Sequence, residues 1–171
     1  MAEMRHEEMN IDWGEAAKAL TQFLKMKTSP IGIKFCRTRE EMEAIPKIRR
    51  PKEGAQMMVC QLIGQAARLN FTVGFTKENG IQGAPECASI WGLMDEGVMK
   101  ESSHFNGVWF DTDEAAVDHQ HKLTFLGHKY EALAFSPLAS KRFEPDVCAF
   151  YGTPEQMMFV MCALQFKKHE L

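Results

Sequence analysis

The sequence predicts an α+β protein of one domain, with a small mixed or antiparallel sheet flanked by about five helices. A chain of 171 residues is close to the length that one hydrophobic core serves. Its 45 % hydrophobic and 25 % charged residues are typical of globular proteins. Helix and strand patterns are mixed without strict βαβ alternation, which favours α+β over a doubly wound sheet. We therefore expect residues 1–171 to form a single domain, with residues 1–9 as a flexible N-terminus.

Capping signals predict where four of the helices begin. In each, a residue that accepts hydrogen bonds at a helix start is followed three positions later by Glu or Gln, the spacing of a capping box. Thr153 is also followed by Pro154, which is favoured at the first helical position. A fifth helix, from Ala55 to Leu69, has the apolar density but only Gly54 as a cap. The four pairs are Asp12 with Glu15, Thr38 with Glu41, Asp111 with Glu114, and Thr153 with Gln156.

Short apolar runs predict the strands. Ile31, Ile33 and Phe35 alternate with smaller or polar residues, which is the period of a strand. Three further runs are strand candidates, at Phe71–Phe75, Tyr130–Phe135 and Val147–Tyr151. The region from residue 80 to residue 105, with four glycines and a proline, has no assignable pattern.

Charge and hydropathy exclude several classes of protein. The formal net charge of −3 argues against a nucleic-acid-binding protein, which needs a surplus of Lys and Arg. No apolar run approaches the roughly 20 residues of a membrane span, and residues 1–8 lack the apolar core of a secretory signal. We therefore expect a cytoplasmic protein that binds neither nucleic acid nor a membrane. Common nucleotide-binding, serine-hydrolase and zinc-protease motifs are also missing.

Five cysteines raise the question of metal or redox chemistry. Cys148 and Cys162 lie in apolar runs and are expected to be core residues, since free Cys packs as a small hydrophobe. Cys60 and Cys87 have two interpretations: unrelated reduced thiols, or residues that meet in space as metal or iron–sulfur ligands or a redox pair. The sequence contains no Cys-x-x-Cys motif, which would have supported a closed zinc site.

The histidines are weaker candidates for a metal site. Four of them, His104, His119, His121 and His128, lie within one stretch of the sequence. On the predicted helix, His119 and His121 would point about 200° apart, because each residue turns by about 100°. They would then be unable to share one metal ion.

Basic residues provide the candidate ligand contacts. The run that contains Arg49 and Arg50 is either a solvated loop or a site for a phosphate or carboxylate group. Lys34 lies on the predicted first strand, on the same face as Cys36. If that face borders a cleft, Lys34 is a candidate anion or acid–base contact; otherwise it is a surface lysine.

The last predicted helix is apolar on every side from Met157 to Leu164. Such a helix has to be covered all round, and Met-rich surfaces suit adaptable contacts with partners. One interpretation is a helix enclosed within its own domain. The other, which we favour, is a homo- or hetero-oligomer interface that includes Met157, Met158 and Met161.

Several segments resemble the bacterial and archaeal family called domain of unknown function 169, over residues 28–166. The resemblance is carried by Pro30–Phe35, Tyr130–Leu138, Phe143–Val147 and Tyr151–Gln156. It implies that Cys60 and Cys87 occupy the family's recurrent cysteine positions and lie close together at the edge of a cleft. Two departures stand out: Ala88-Ser89-Ile90 replaces the usual Pro-Gly-Gly, and family members continue past the Met-rich helix. We therefore expect any site that needs the missing portion to be incomplete in this chain or to be completed by another chain.

Two functions are consistent with these features. The first is a cytoplasmic small-ligand-binding or accessory subunit of a larger enzyme assembly, with Lys34, Arg49, Arg50, Cys60 and Cys87 as candidate ligand contacts. The second is a cysteine-dependent enzyme, or a metal or iron–sulfur protein, that uses Cys60 and Cys87.

Overall fold

The computed structural model describes residues 11–52, 54–83, 85–95, 97–100 and 106–168. Residues 1–9, expected to be flexible, lie outside the described residues. Within the described ranges, eight α-helices, one 3-10 helix and four strands follow each other along the chain. They are α1 (Trp13–Leu24), β1 (Ile31–Cys36), α2 (Arg39–Glu43), α3 (Val59–Leu69), β2 (Val73–Thr76), α4 (Lys77–Gly83), α5 (Pro85–Ile90), α6 (Gly97–Lys100), α7 (Asp113–Lys122), β3 (Ala132–Pro137), the 3-10 helix Leu138–Ser140, β4 (Val147–Ala149) and α8 (Pro154–Lys168).

The four strands form one antiparallel sheet in the order β2-β3-β1-β4. The predicted α+β fold class is therefore confirmed, and of the two predicted kinds of sheet the antiparallel one is observed. β1 lies between β3 and β4, with Ile33 opposite both Phe135 and Val147. β4 is a short strand at the edge of the sheet, and it pairs only with the first half of β1.

Side chains alternate between the two faces of the sheet, as the period of a strand requires. Residues such as Ile33 and Phe135 pack with Leu62 of α3 in the larger core cluster. Cys36 and Ala134 point to the other face and pack with α2 and the residues that follow it. The second face places Lys34 beside α2, which positions it for the site described below.

All five predicted helices are present, and three short ones, α4 to α6, occupy the region that has no assignable pattern. The Asp12 carboxylate accepts hydrogen bonds from the backbone N–H groups of Gly14 and Glu15, which confirms the first cap. The prediction for α7 is off by one residue, since Thr112 and not Asp111 is its cap. Among the helices of the described residues, none has the length and hydropathy that a membrane span requires.

The predicted start of α3 at Ala55 is wrong. α3 begins at Val59, because the preceding backbone makes other hydrogen bonds. The Met57 N–H donates to the Asn79 carbonyl, and the Asn79 side chain donates to the Ala55 carbonyl. These bonds hold residues 55–57 against the start of α4.

The predicted burial of Cys148 and Cys162 is also wrong, since both thiols are exposed. Cys148 lies on β4, which has a neighbouring strand on one side only. Cys162 lies on α8, where none of residues 154–166 is buried. Apolar neighbours in the sequence did not place either thiol in the core, because β4 lies at the edge of the sheet and α8 makes few contacts with the other described elements.

Candidate functional site

A cleft of about 730 Å³ lies between α2, residues 50–52 with Gly54, and the junction of β2 with α4. We call it the basic cleft, because three cations and one carboxylate line it. Met42 and Phe75, both buried in the core, also line it. The charged side chains are Arg39, Arg50, Lys52 and Glu78.

Glu43 links the two arginines of the basic cleft. Its Oε1 atom accepts a hydrogen bond from Arg39 Nε at 2.7 Å and another from Arg50 Nη1. The Arg39 hydrogen bond and the nearby charge of Arg50 lower the pKa of the Glu43 carboxyl, so it remains ionised near neutral pH. One carboxylate oxygen therefore holds two guanidinium groups together at the cleft. No other described residue accepts a hydrogen bond from these groups, so their remaining N–H groups can contact a ligand.

Arg49, next to Arg50, has a different role. Its backbone N–H donates to the Thr72 carbonyl at 2.8 Å, and its carbonyl accepts from the Gly74 N–H at 3.0 Å. Its guanidinium lies over the Phe71 ring, 3.5 Å from the ring centre. Arg49 thus joins the basic run to β2. It also lines a smaller cleft of about 290 Å³.

Asn79 holds residues 55–57, which follow the basic run along the chain. Its Oδ1 atom accepts from the backbone N–H and the hydroxyl of Thr76, and its Nδ2 donates to the Ala55 carbonyl at 2.8 Å. The sequence patterns described above do not single out this residue. The three-residue spacing of Thr76 and Asn79 is that of a capping box, with Asn where Glu or Gln is usual, and it is the signal that would have identified the pair.

Lys34 lines a different cleft, of about 480 Å³, at the edge of β1 beyond the end of β4. We call it the strand-edge cleft. Lys34 Nζ lies 3.3 Å from Glu41 Oε1, and Tyr130 and Asp146 also line the cleft. The structure thus brings Arg50 and Lys52 together, but it separates them from Lys34.

Cys60 and Cys87 lie in the first turns of α3 and α5, where Cys60 is exposed and Cys87 is partly buried. Burial raises the pKa of the Cys87 thiol, and the charges of Cys60 and Glu86 raise it further. Within the described ranges, no three His, Cys, Asp or Glu side chains are grouped so that they could hold a metal ion. The two thiols therefore lie within electrostatic reach of each other without forming such a group.

Two of the four histidines lie on α7, as predicted. His119 and His121 are two residues apart on this helix, and the His119 ring packs on Phe110 with ring centres 5.0 Å apart. His104 lies outside the described residues.

The apolar helix α8 is largely exposed. Met157, Met158 and Met161 expose 37 %, 53 % and 48 % of their surface, so the covering that the sequence predicts is absent within the described chain. A hydrogen bond joins the start of α8 to the end of α1, from Gln156 Nε2 to the Leu24 carbonyl at 2.5 Å. Other large apolar side chains exposed on α8 are Phe159, Leu164 and Phe166.

Most of the chain matches a known protein family. Residues 19–171 match the family model of domain of unknown function 169, whose description is "uncharacterised ArCR". No curated protein and no solved structure matches the chain.

Proposed function

The chain belongs to the domain of unknown function 169 family, and we propose that it is a cytoplasmic small-ligand-binding subunit whose basic cleft takes an anionic compound. The observation that carries this proposal is the pair of guanidinium groups that Glu43 holds together beside Lys52. The cleft volume of about 730 Å³ lies within the range of roughly 300–1,000 Å³ that is common for small-molecule sites.

Charge decides which ligand class suits the basic cleft. Among the described residues, Arg39, Arg50 and Lys52 are opposed by two carboxylates, Glu43 and Glu78, which leaves a surplus of one positive charge. Guanidinium groups match the geometry of carboxylate and phosphate oxygens, and they form paired hydrogen bonds with them. A small molecule with a carboxylate or phosphate group is therefore the favoured ligand.

Titration with phosphate, phenyl phosphate and benzoate, followed by backbone amide NMR, tests this proposal. Arg50→Gln should weaken binding by about tenfold, since a hydrogen bond to a charged group contributes roughly 1.5–3 kcal/mol. Lys47→Gln is the matched control, because Lys47 belongs to the same basic run but does not line the cleft. Equal losses in the two variants would mean that these anions respond only to general surface charge.

We further propose that α8 is the surface through which this subunit joins an assembly, with itself or with a separate chain. Burying a large apolar side chain contributes about 1.5–3 kcal/mol relative to full exposure, and α8 exposes several of them. Replacing Met158 and Met161 together with Glu should disperse the assembly, because two carboxylates in an apolar interface are costly to desolvate.

Sedimentation of the purified protein at micromolar concentration distinguishes the two kinds of assembly. A homo-oligomer that the double variant converts to monomers supports self-association. A monomeric wild-type protein that binds a second chain only through Met158 and Met161 supports an accessory subunit. A monomer with no such partner contradicts the proposal.

The electrostatic interaction between Cys60 and Cys87 favours a second candidate function, a cysteine-dependent enzyme or metalloprotein. The raised pKa of Cys87 disfavours the thiolate that either role needs, so this function is the weaker one. A closed zinc site takes four ligands, and two thiols would need others beside them. Metal analysis of anaerobically purified protein, with Cys60→Ser and Cys87→Ser as variants, tests it: metal that both variants lose supports the second function.

A further inference from the structure

The strand-edge cleft lies where β1 continues beyond its partner. β4 pairs with residues 31–33 only, so within the described part of the chain no strand pairs with the second half of β1 on that side, and its edge there is open. The Asp146 N–H donates to the Ile33 carbonyl at 2.9 Å, and the Phe35 N–H donates to Asp146 Oδ2 at 2.8 Å. The backbone groups of Ile33 and Phe35 therefore face this open edge.

Two carboxylates flank one carbonyl at the open edge. The N–H and C=O of one strand residue point to the same side, so the Phe35 carbonyl faces the edge as its N–H does. Asp146 accepts the Phe35 N–H, and Glu41 accepts the Arg37 N–H at 2.9 Å. No described residue donates a hydrogen bond to the Phe35 carbonyl. The edge thus presents a carbonyl oxygen between two carboxylates, a set of acceptors suited to an ammonium group.

Cations lie beside these acceptors. Lys34 Nζ is 3.3 Å from Glu41 Oε1, whereas the Arg37 side chain has no ion pair within the described part of the chain. Lys34 and Arg37 balance Glu41 and Asp146, so the four charges of the cleft sum to zero. A ligand with one positive and one negative group matches this cleft better than the simple anion that suits the basic cleft.

An apolar wall completes the strand-edge cleft. The Tyr130 ring packs on Phe35 with ring centres 4.9 Å apart, and Phe35 packs in turn on Trp91 at 5.8 Å. Leu126 and Val147 add aliphatic surface, each more than two-fifths exposed. The volume of about 480 Å³ suits a small molecule that has one apolar group.

We propose that the strand-edge cleft binds a small amphoteric compound of the amino-acid class. The ammonium group contacts the Phe35 carbonyl together with Asp146 and Glu41, and the carboxylate contacts Arg37. The apolar side chain lies against Tyr130. This site is independent of the basic cleft, so either proposal can fail without the other.

Three probes separate the contributions of the two charges: L-leucine, L-leucinamide, which lacks the carboxylate, and N-acetyl-L-leucine, which lacks the ammonium group. L-Leucine at roughly 10 mM, above the millimolar Kd of a weak ligand, should shift the backbone amide NMR signals of residues 34–37 and 146–147. The two analogues should bind about tenfold more weakly or worse, because each loses a charge-assisted contact.

Variants complete the test. Arg37→Gln and Asp146→Asn should each weaken L-leucine binding by about tenfold. The Asn side chain still has a carbonyl to accept the Phe35 N–H, so the second variant preserves this backbone contact. Arg68→Gln, in the last turn of α3, is the control and should bind as the wild type does. The absence of any shift with L-leucine would overturn the proposal, and so would equal binding of L-leucine and L-leucinamide.

Discussion

Helices α3 and α8 are both rich in apolar residues, yet only α3 is buried. The buried residues of α3 are Val59, Leu62, Ala66 and Ala67, whose spacing places them on one face of the helix against the sheet. α8 has apolar residues on all sides, and none of residues 154–166 is buried. Apolar spacing along a helix thus predicts where it packs, whereas apolar content alone does not say what covers it.

The largest expected effect is that of Leu62→Ala in α3. Leu62 is 1 % exposed and lies in the core against the sheet. Truncation should lower the free energy of unfolding by about 2–5 kcal/mol, through lost burial and the cavity left behind. Leu164→Ala in α8 is the matched variant, because Leu164 is 55 % exposed. It should change the free energy of unfolding by no more than about 0.5 kcal/mol in the monomer.

Denaturant unfolding at several protein concentrations makes this comparison. If α8 forms an interface, the cost of Leu164→Ala grows with protein concentration, because association stabilises the folded state. Similar losses for Leu62→Ala and Leu164→Ala in dilute protein would show that α8 is as well packed as α3, against the structure.

The next effect concerns pH and the buried Cys36, in contrast to the exposed thiol of Cys162. Burial, followed by the charge of Glu41, raises the pKa of the Cys36 thiol from its ordinary value near 9.0 to about 12. The folded state therefore retains the proton more strongly than the unfolded state does. The contribution of Cys36 to stability is complete below pH 9 and is lost as the pH rises from about 9 to about 12, by at most ~1.4 kcal/mol per pH unit.

Cys36→Ala separates this effect from the ionisation of other groups. The variant will be less stable at pH 7 because it loses packing, but its free energy of unfolding should fall less steeply above pH 9. Parallel pH profiles for the wild type and Cys36→Ala would contradict the prediction. Thiol alkylation provides a second measurement: Cys162 should react in the folded protein, and Cys36 only after unfolding.

Local patterns predicted much of the fold because they depend on neighbouring residues. The alternation from Ile31 to Cys36 identified β1 with its observed bounds, and the caps at Asp12 and Thr38 identified two helix starts. The region of α4 to α6 had no assignable pattern, because these helices are too short to show a helical period.

The candidate sites were less predictable because they depend on contacts between distant residues. The charges of Arg50 and Lys34 indicated that both residues are candidate ligand contacts. Nothing in the sequence indicated that they line two separate clefts. The hydrogen bond between Phe35 and Asp146 joins residues 111 positions apart. It requires β4 to end early beside β1, and no local pattern predicts that.

The smallest expected effect compares the same substitution in a packed helix and an exposed one. The Thr38 hydroxyl accepts from the Glu41 N–H at 3.2 Å in α2, and the Thr153 hydroxyl accepts from the Gln156 N–H at 3.3 Å in α8. Replacing either Thr with Ala should cost its helix about 1 kcal/mol. α2 packs on the sheet through the fully buried Met42, so Thr38→Ala should lower the global free energy of unfolding by that amount.

Thr153→Ala should act locally, because α8 can fray without exposing the core. Amide hydrogen exchange in α8 should become about fivefold faster, the ratio that corresponds to 1 kcal/mol, while the global free energy of unfolding changes little. The remaining bond of this cap, from the Thr153 N–H to Gln156 Oε1 at 2.7 Å, does not involve the lost hydroxyl, so the helix should still form. A full loss of about 1 kcal/mol in global unfolding would show instead that α8 folds together with the sheet. Unchanged exchange and unchanged global stability would mean that the Thr153 hydroxyl does not cap α8 in solution.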